Sequence, residues 1–258
     1  MAIYSLKKSY QLKDLREVVF KDLWGDHGIF TTMWIFGKPP KILFFDNHIR
    51  NLIRSLQIFG IEKKLLKKDI LKIINKNLTK KKNYNHLLRI ALNKKLISIS
   101  LRKRITPKLN FDLKLINFKR EKPQYKNLKY KKILIHLSKM NNSRSDIGLV
   151  SKNKILETGT SNLLFIKNKK FFTPKKDYYE GNTYKFFKTK IKKIIKKDIL
   201  VNELMNYDEI LLIGSGKGVA SVKRIKQINW KRKNLIQYKK LSKLYNSEVK
   251  KCNSYKFK

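Results

Sequence analysis

The residues that could do chemistry in this chain cluster around one acid. From Leu156 to Phe165 the order is Leu-Glu-Thr-Gly-Thr-Ser-Asn-Leu-Leu-Phe, so Glu157 and several hydroxyls interrupt an otherwise apolar pattern. Ile147 to Val150 and Leu163 to Ile166 read as short buried strands on either side. A carboxylate lodged between buried strands is costly unless a partner holds it. The alternative on the residue alone is that Glu157 ends a hairpin and points into water. Downstream, Glu180-Gly181-Asn182-Thr183 opens a helical pattern continued by Phe186, Phe187, Ile191, Ile194 and Ile195. A helix start offers N–H groups and a positive dipole end to an anion. A second turn, Gly214-Ser215-Gly216-Lys217-Gly218, follows the apolar run Glu209 to Ile213 and fits neither glycine-rich nucleotide-loop pattern. Upstream, Lys126-Asn127-Leu128-Lys129-Tyr130 precedes an apolar helix. An amine there can act as nucleophile or proton carrier only if its surroundings hold it partly neutral. Nothing but its place separates Lys126 from the other lysines, and Lys129 is the nearest rival.

The elements that would position these groups can be read in outline. Residues 1 to 17 are mixed. Val18 to Phe20 reads as a short strand, Leu23 to Gly28 as a turn, and Ile29 to Phe36 as a strand of aromatic and β-branched residues. Gly37-Lys38-Pro39-Pro40 breaks it, and Ile42 to Phe45 resumes as the second arm of a hairpin. Helices are expected from about Asn47, with Ile49, Leu52, Ile53 and Leu56 on one face, and over Ile61 to Leu78. Leu87 to Leu92 and Leu96 to Leu101 pair as strands, and Phe111 to Ile116 adds another. The basic stretch Arg102 to Gln124 holds Pro107 and Pro123, and a domain boundary is expected near Pro123. Further helices are expected over Leu128 to Met140, Thr183 to Lys197 and Leu235 to Leu244, the last followed by a frayed tail.

Taken in order, these motifs resemble the fold-type-IV pyridoxal-phosphate enzymes, from about Val18 to about Ile228. The family has a lysine stretch, then Glu-x-x-x-x-Asn-(Leu/Ile)-Phe, then Thr-Pro, then a Gly-x-Thr helix start. Here these are Lys126, Glu157 to Leu164 (with Leu164 in place of Phe), Thr173-Pro174 and Gly181 to Thr183. The opening Trp24-Gly25-Asp26-His27-Gly28-Ile29-Phe30-Thr31-Thr32 is similar to the family's Gly-Asp-Gly block, one residue longer at His27. The resemblance implies an α/β (α+β) chain of two domains, residues 1–122 and 123–258, with pyridoxal 5'-phosphate between them, and a homodimer. It implies that Lys126 bonds the cofactor's aldehyde and moves protons, and that Glu157 meets the pyridine nitrogen. Asn182, Thr183, Ser215 and Gly216 would cradle the phosphate. Arg89, Thr31 and Thr32 would meet the substrate, with Thr32 placing or protonating the leaving group. Two threonines rather than a glutamate resemble the lyase branch, which makes 4-aminobenzoate and pyruvate for folate synthesis. The aminotransferase branch, acting on branched-chain or D-amino acids, is the alternative.

The chain also departs from the pattern. Asn51 stands where the phosphate-binding arginine belongs, with Arg50 and Arg54 beside it but pointing off that helix direction. Trp34 and Tyr184 replace two further arginines, and Lys129 a common asparagine.

Composition bounds the remaining readings. With 258 residues and 41% hydrophobic content, a proper core is expected. Lys+Arg number 63 against 18 acids, a formal charge of +45. Nucleic-acid binding by a chain that has lost catalysis is one reading of that charge. Against it, the lysines spread along the whole chain and no nucleic-acid motif is present. A positive field would in any case draw in anionic cofactors and substrates. A single cysteine, Cys252, fits a reducing cytoplasm, and the four histidines are too scattered for a metal site.

Overall fold

The computed structural model describes residues 4–256. The chain forms two compact units. The first comprises residues 1–104, 125–131 and 251–258; the second comprises 105–124 and 132–250. Residues 105–122, expected with the N-terminal half, thus group with the second unit, and residues 123–131 and the tail divide accordingly.

The first unit is built on strands β1 (Tyr4–Gln11), β2 (Glu17–Val18), β3 (Gly28–Gly37), β4 (Lys41–Ile42), β5 (Tyr84–Asn93) and β6 (Leu96–Lys103). They make a six-stranded antiparallel sheet in the order β2-β1-β6-β5-β3-β4. Alternation along the strands sends Ile29, Met33 and Ile35, with Leu88, Ile90 and Leu92, to one face. Helices α1 (Phe45–Leu56) and α2 (Leu66–Asn77) cover that face through Ile49, Leu52 and Leu56 and through Ile70, Ile73 and Ile74. Each such side chain contributes about 1.5–3 kcal/mol by leaving water. Ile53, expected on the apolar face of α1, is instead exposed, and α2 begins later than its apolar pattern, leaving Leu65 in solvent. The expected hairpin arm at Ile42 to Phe45 is only two residues long, because Phe44 adopts a left-handed conformation and the helix starts at Phe45. Within the mixed stretch 1–17, Tyr4–Gln11 pair with β6 along the length of β1, and this non-local pairing leaves little local mark. The tail returns to the first unit, where Ser254 bridges Lys41 and the Tyr255 N–H donates to Pro40 O.

The second unit carries β7 (Phe111–Asn117), β8 (Ser145–Ser151), β9 (Lys154–Thr158), β10 (Asn162–Lys167), β11 (Lys170–Pro174), β12 (Ile194–Lys197), β13 (Glu209–Gly214), β14 (Gly218–Ile225) and β15 (Trp230–Lys231). Its sheet runs β12-β11-β10-β13-β14-β7-β8-β9, with β15 against β14. The pairs β11–β12, β14–β7 and β7–β8 are parallel. Leu163 to Ile166 and Ile210 to Ile213 are buried throughout, as befits strands covered on both faces. Helix α3 (Lys131–Ser138) is shorter than the expected Leu128 to Met140, because residues 126–128 run alongside β3 instead. Helix α4 (Asn182–Lys190) also stops short: Ile194 and Ile195, expected on the helix, pair with Phe171 and Phe172 in β12. Adjacent β-branched residues crowd a helical turn but suit a pleated strand.

Helix α5 (Ile236–Lys251) continues well past the expected Leu244. Its start is fixed from a distance. Glu209, 1% exposed, accepts the N–H groups of Gln237 (2.7 Å) and Tyr238 (2.9 Å), and the Ile236 N–H donates to Asn234 Oδ1. The carboxylate satisfies first-turn donors and opposes the dipole. Glu209→Ala should lower stability by about 2 kcal/mol and reduce helical ellipticity, measured by urea unfolding and circular dichroism; Glu209→Gln should cost less. Among the described residues, no helix is long and apolar enough to cross a membrane.

Candidate functional site

In the first unit, one face of the sheet gathers an amine, a hydroxyl, a guanidinium and three aromatic rings. Residues 126–128 run beside β3: the Phe30 N–H donates to Lys126 O, Asn127 bridges Ile29, and the Leu128 N–H donates to Gly28 O. Gly28 permits this approach, since a Cβ there would lie 2.1 Å from Leu92 O and 2.8 Å from Leu128 Cδ1. Lys126 is half-buried, with Nζ 5.0 Å from the Phe30 ring centroid, whereas its rival Lys129 is exposed. The Trp24 ring meets Phe30 edge-on (4.8 Å) and stacks on Tyr130 (5.7 Å). Arg89 lies over Trp24, with Cζ 4.3 Å from the ring centroid, and donates through Nη2 to Asp22 O at 2.9 Å. Although Arg89 is only 8% exposed, its Nε and Nη1 find no hydrogen-bond partner among the described residues. Burial lowers its pKa, yet an arginine keeps its proton at any ordinary pH. Buried guanidinium N–H groups of this kind are suited to an anion. Thr32 sits directly opposite Arg89 in the β3–β5 register, so their side chains share a face.

Thr31, one residue away, points to the other face. Its Oγ1 lies 2.7 Å from Nδ1 of His48, on helix α1. The two threonines expected together at a substrate therefore part, one toward Arg89 and one under the helix. His48 is buried, and burial followed by the charge on Lys126 lowers its pKa to about 3. Asn51 on the same helix is half-buried, while Arg50 and Arg54 are exposed.

Protonation of His48 is thus opposed in the folded state only. As pH falls below 6.5 the unfolded chain takes up a proton that the folded chain refuses until about pH 3. Stability contributed by this group is complete above pH 6.5 and is lost on acidification by about 1.4 kcal/mol per unit. His48→Asn should flatten the decline in unfolding free energy between pH 6.5 and 4.5 by about one proton's slope, measured by urea titrations at the two pH values.

In the second unit, Glu157 does not end a hairpin in water. It lies on β9, 6% exposed, opposite Leu149. Arg120, 3% exposed, holds it through Nε to Oε1 (2.6 Å) and Nη2 to Oε2 (3.1 Å). The same Nη2 donates to Pro123 O, and the Tyr179 N–H donates to Glu157 Oε2 at 3.3 Å. Sequence reasoning missed Arg120. The available signal was slight: an arginine between Lys119 and Glu121, three residues before Pro123, whose distance from Glu157 only the fold closes.

Four further expected residues meet around one corner of this unit. Asn162, paired with Ile213, donates to Tyr179 O (2.6 Å) and accepts the Gly181 N–H (3.0 Å), so it ties the start of α4 to β10. Asn182 and Thr183 are buried at that start. Thr183 Oγ1 has no hydrogen-bond partner among the described residues. The turn bearing Ser215 and Gly216 follows Gly214, where a Cβ would lie 3.0 Å from Ser161 Oγ. Both turns thereby adjoin Ser161-Asn162. Tyr184 is fully buried against Tyr178 and offers no charge.

The solved structures that share this fold are distant in sequence. A branched-chain aminotransferase from Thermoproteus uzoniensis, solved with norvaline, superposes with a TM-score of 0.74 at 15% identity, covering 95% of this chain and 94% of that one. A Legionella pneumophila protein described as a 4-amino-4-deoxychorismate lyase gives 0.70 at 19% identity, covering 86% and 91%. The PLP form of a branched-chain amino acid aminotransferase from Thermobaculum terrenum gives 0.74 at 13% identity, covering 94% and 93%. No curated protein matches the sequence. The two sheets give the architecture of fold-type-IV aminotransferase structures. The chain belongs to the amino-transferase class IV family, which matches residues 28–225.

The residues present fit pyridoxal phosphate. The orphaned Thr183 hydroxyl at a helix start, with the Ser215–Gly216 turn fixed to the same corner, suits a phosphate. Glu157 retains lone pairs beyond its bonds to Arg120 and Tyr179.

Proposed function

We propose that this chain is a lyase of the class IV family that splits 4-amino-4-deoxychorismate into 4-aminobenzoate and pyruvate. The observation carrying the reading is the single face on which Lys126, Thr32 and Arg89 stand with aromatic walls from Trp24, Phe30 and Tyr130. A flat ring bearing a carboxylate suits rings and a buried guanidinium together. Pyridoxal phosphate, when bound, supplies an electron sink for the pair left when a substrate proton departs. Glu157, oriented by Arg120, would hold a proton at the pyridine nitrogen, while Asn182, Thr183, Ser215 and Gly216 would bind the phosphate. Arg89 takes the substrate's ring carboxylate. Lys126, on the same face, would accept the proton from the substrate's ring carbon. The ring becomes aromatic as the bond to the enolpyruvyl oxygen breaks, and Thr32 gives the leaving group its proton.

The second reading is an aminotransferase, for branched-chain or D-amino acids with 2-oxoglutarate, in which Lys126 shuttles a proton and Arg89 takes a dicarboxylate. It is favoured by Arg89, whose buried N–H groups would serve a second carboxylate equally well.

Incubation with aminodeoxychorismate should yield 4-aminobenzoate without glutamate, and leucine plus 2-oxoglutarate should yield nothing; the reverse outcome overturns the lyase reading. Borohydride should fix the cofactor to Lys126, seen by peptide mass, and Lys126→Ala should abolish both fixation and turnover. Arg89→Gln should raise KM by about tenfold or more with a smaller change in kcat. A homodimer accompanies this reading, and a monomer mass by light scattering would contradict that part.

A further inference from the structure

The phosphate cradle of the proposed site lacks the family's arginine on α1, where Asn51 stands, so its remaining donors must be held well. We propose that Asp146 and Lys217 are positioning residues that clamp the Ser215–Gly216 turn against the Thr158–Ser161 loop and so set the phosphate donors of the cofactor site. The inference rests on the cofactor reading above and deepens it.

Asp146 lies on β8 with no exposed surface. Its Oδ1 accepts the Ile147 N–H at 2.8 Å. Its Oδ2 accepts from Thr160 Oγ1 (2.8 Å) and Thr158 Oγ1 (3.1 Å), and lies 3.0 Å from Lys217 Nζ. Lys217 also donates to Thr160 Oγ1 at 2.6 Å. One ammonium from the β13–β14 turn thus binds two atoms anchored at the other loop. That loop is braced from within, because Thr158 Oγ1 accepts the Ser161 N–H at 2.8 Å. Gly159 lets it lie against the carboxylate, since a Cβ there would come within 2.8 Å of Ile147 Cγ1 and 3.0 Å of Asp146 Oδ1.

This pair differs from the chain's solvated ones. The side chains of Lys217 and Asp146 are 10% and 0% exposed, against 39% and 40% for Lys154 and Asp198. Exposed pairs hold little geometry, whereas a desolvated, multiply bonded pair is rigid. It adds no net charge. Its contribution is to fix the distance between two donor turns and to neutralise a carboxylate that would otherwise repel phosphate. The loss on breaking it should therefore be specific to ligands that carry a phosphate.

The test is titration of the cofactor-free full chain with pyridoxal 5'-phosphate and, separately, with pyridoxal, followed by absorbance and tryptophan fluorescence. Lys217→Met should raise the dissociation constant for the phosphate form by about tenfold or more while leaving pyridoxal within about twofold. Lys217→Arg should recover most of the loss. Asp146→Asn/Lys217→Met removes both charges, keeps the fold as judged by circular dichroism, and should still bind the phosphate form weakly; it decides the matter if Lys217→Met does not fold. Thr160→Val, which removes only the bridging hydroxyl, should weaken the phosphate form in the same selective way. Wild-type affinity in the folded double variant, or equal losses for both ligands, would overturn the clamp. A wild-type chain that takes up neither ligand would overturn the cofactor reading, and the clamp with it.

Discussion

A buried carboxylate in a sheet persists only if something takes the place of water. Glu157 illustrates the constraint on which the second unit depends. Its desolvation is met by two parallel N–H bonds from Arg120 and one from the Tyr179 backbone. The planar fork fixes the carboxylate's plane, which a lysine could not do. Arg120 is in turn held to Pro123 O, so the segment after β7 is bound to β9 through one side chain. The Tyr179 bond carries the constraint to the approach to α4, where Asn162 completes the frame. An acid and a helix start are thereby kept in a fixed relation by groups that are not themselves expected to react.

Lysine dominates the chain's positive charge, and three of the arginines stand where geometry matters. Arg120 grips Glu157, Arg224 makes a similar forked contact with Asp112, and Arg89 lies flat on Trp24. Each uses planarity, stacking or a pair of parallel donors. The lysines are mostly exposed, and their ion pairs, such as Lys154–Asp198 and Lys233–Asp208, are of the solvated kind that adds little to stability.

Much of the fold was legible because it is written in local period. The alternation of β3, the paired runs of β5 and β6, and the apolar runs of β10 and β13 all emerged where the pattern placed them. What local pattern could not carry was pairing across long separations. Strand β1 depends on β6, the end of α4 on the demand of β11 for a neighbour, and the start of α5 on Glu209. For the candidate site, the order of motifs was enough to single out Lys126, Glu157 and Thr183 as candidates. The contacts of Arg120, Asp146 and Lys217 could not be read in this way, because they arise only when segments distant in sequence lie side by side. The sequence also grouped Thr31 with Thr32, which alternation in a strand separates.

The polypeptide route has a further consequence. Most of the second unit is inserted into the first, which receives residues 125–131 after one excursion and 251–258 after another. A ribosome therefore releases the Ser254 bridge to Lys41 and the Tyr255 bond to Pro40 only after the intervening sheet has been translated. The early-made sheet has all six of its strands by Lys103, but its contacts with residues 126–128 and with the tail must wait for segments still unmade. Maturation in the cell is thus ordered back to front: the portion begun first is the one finished last.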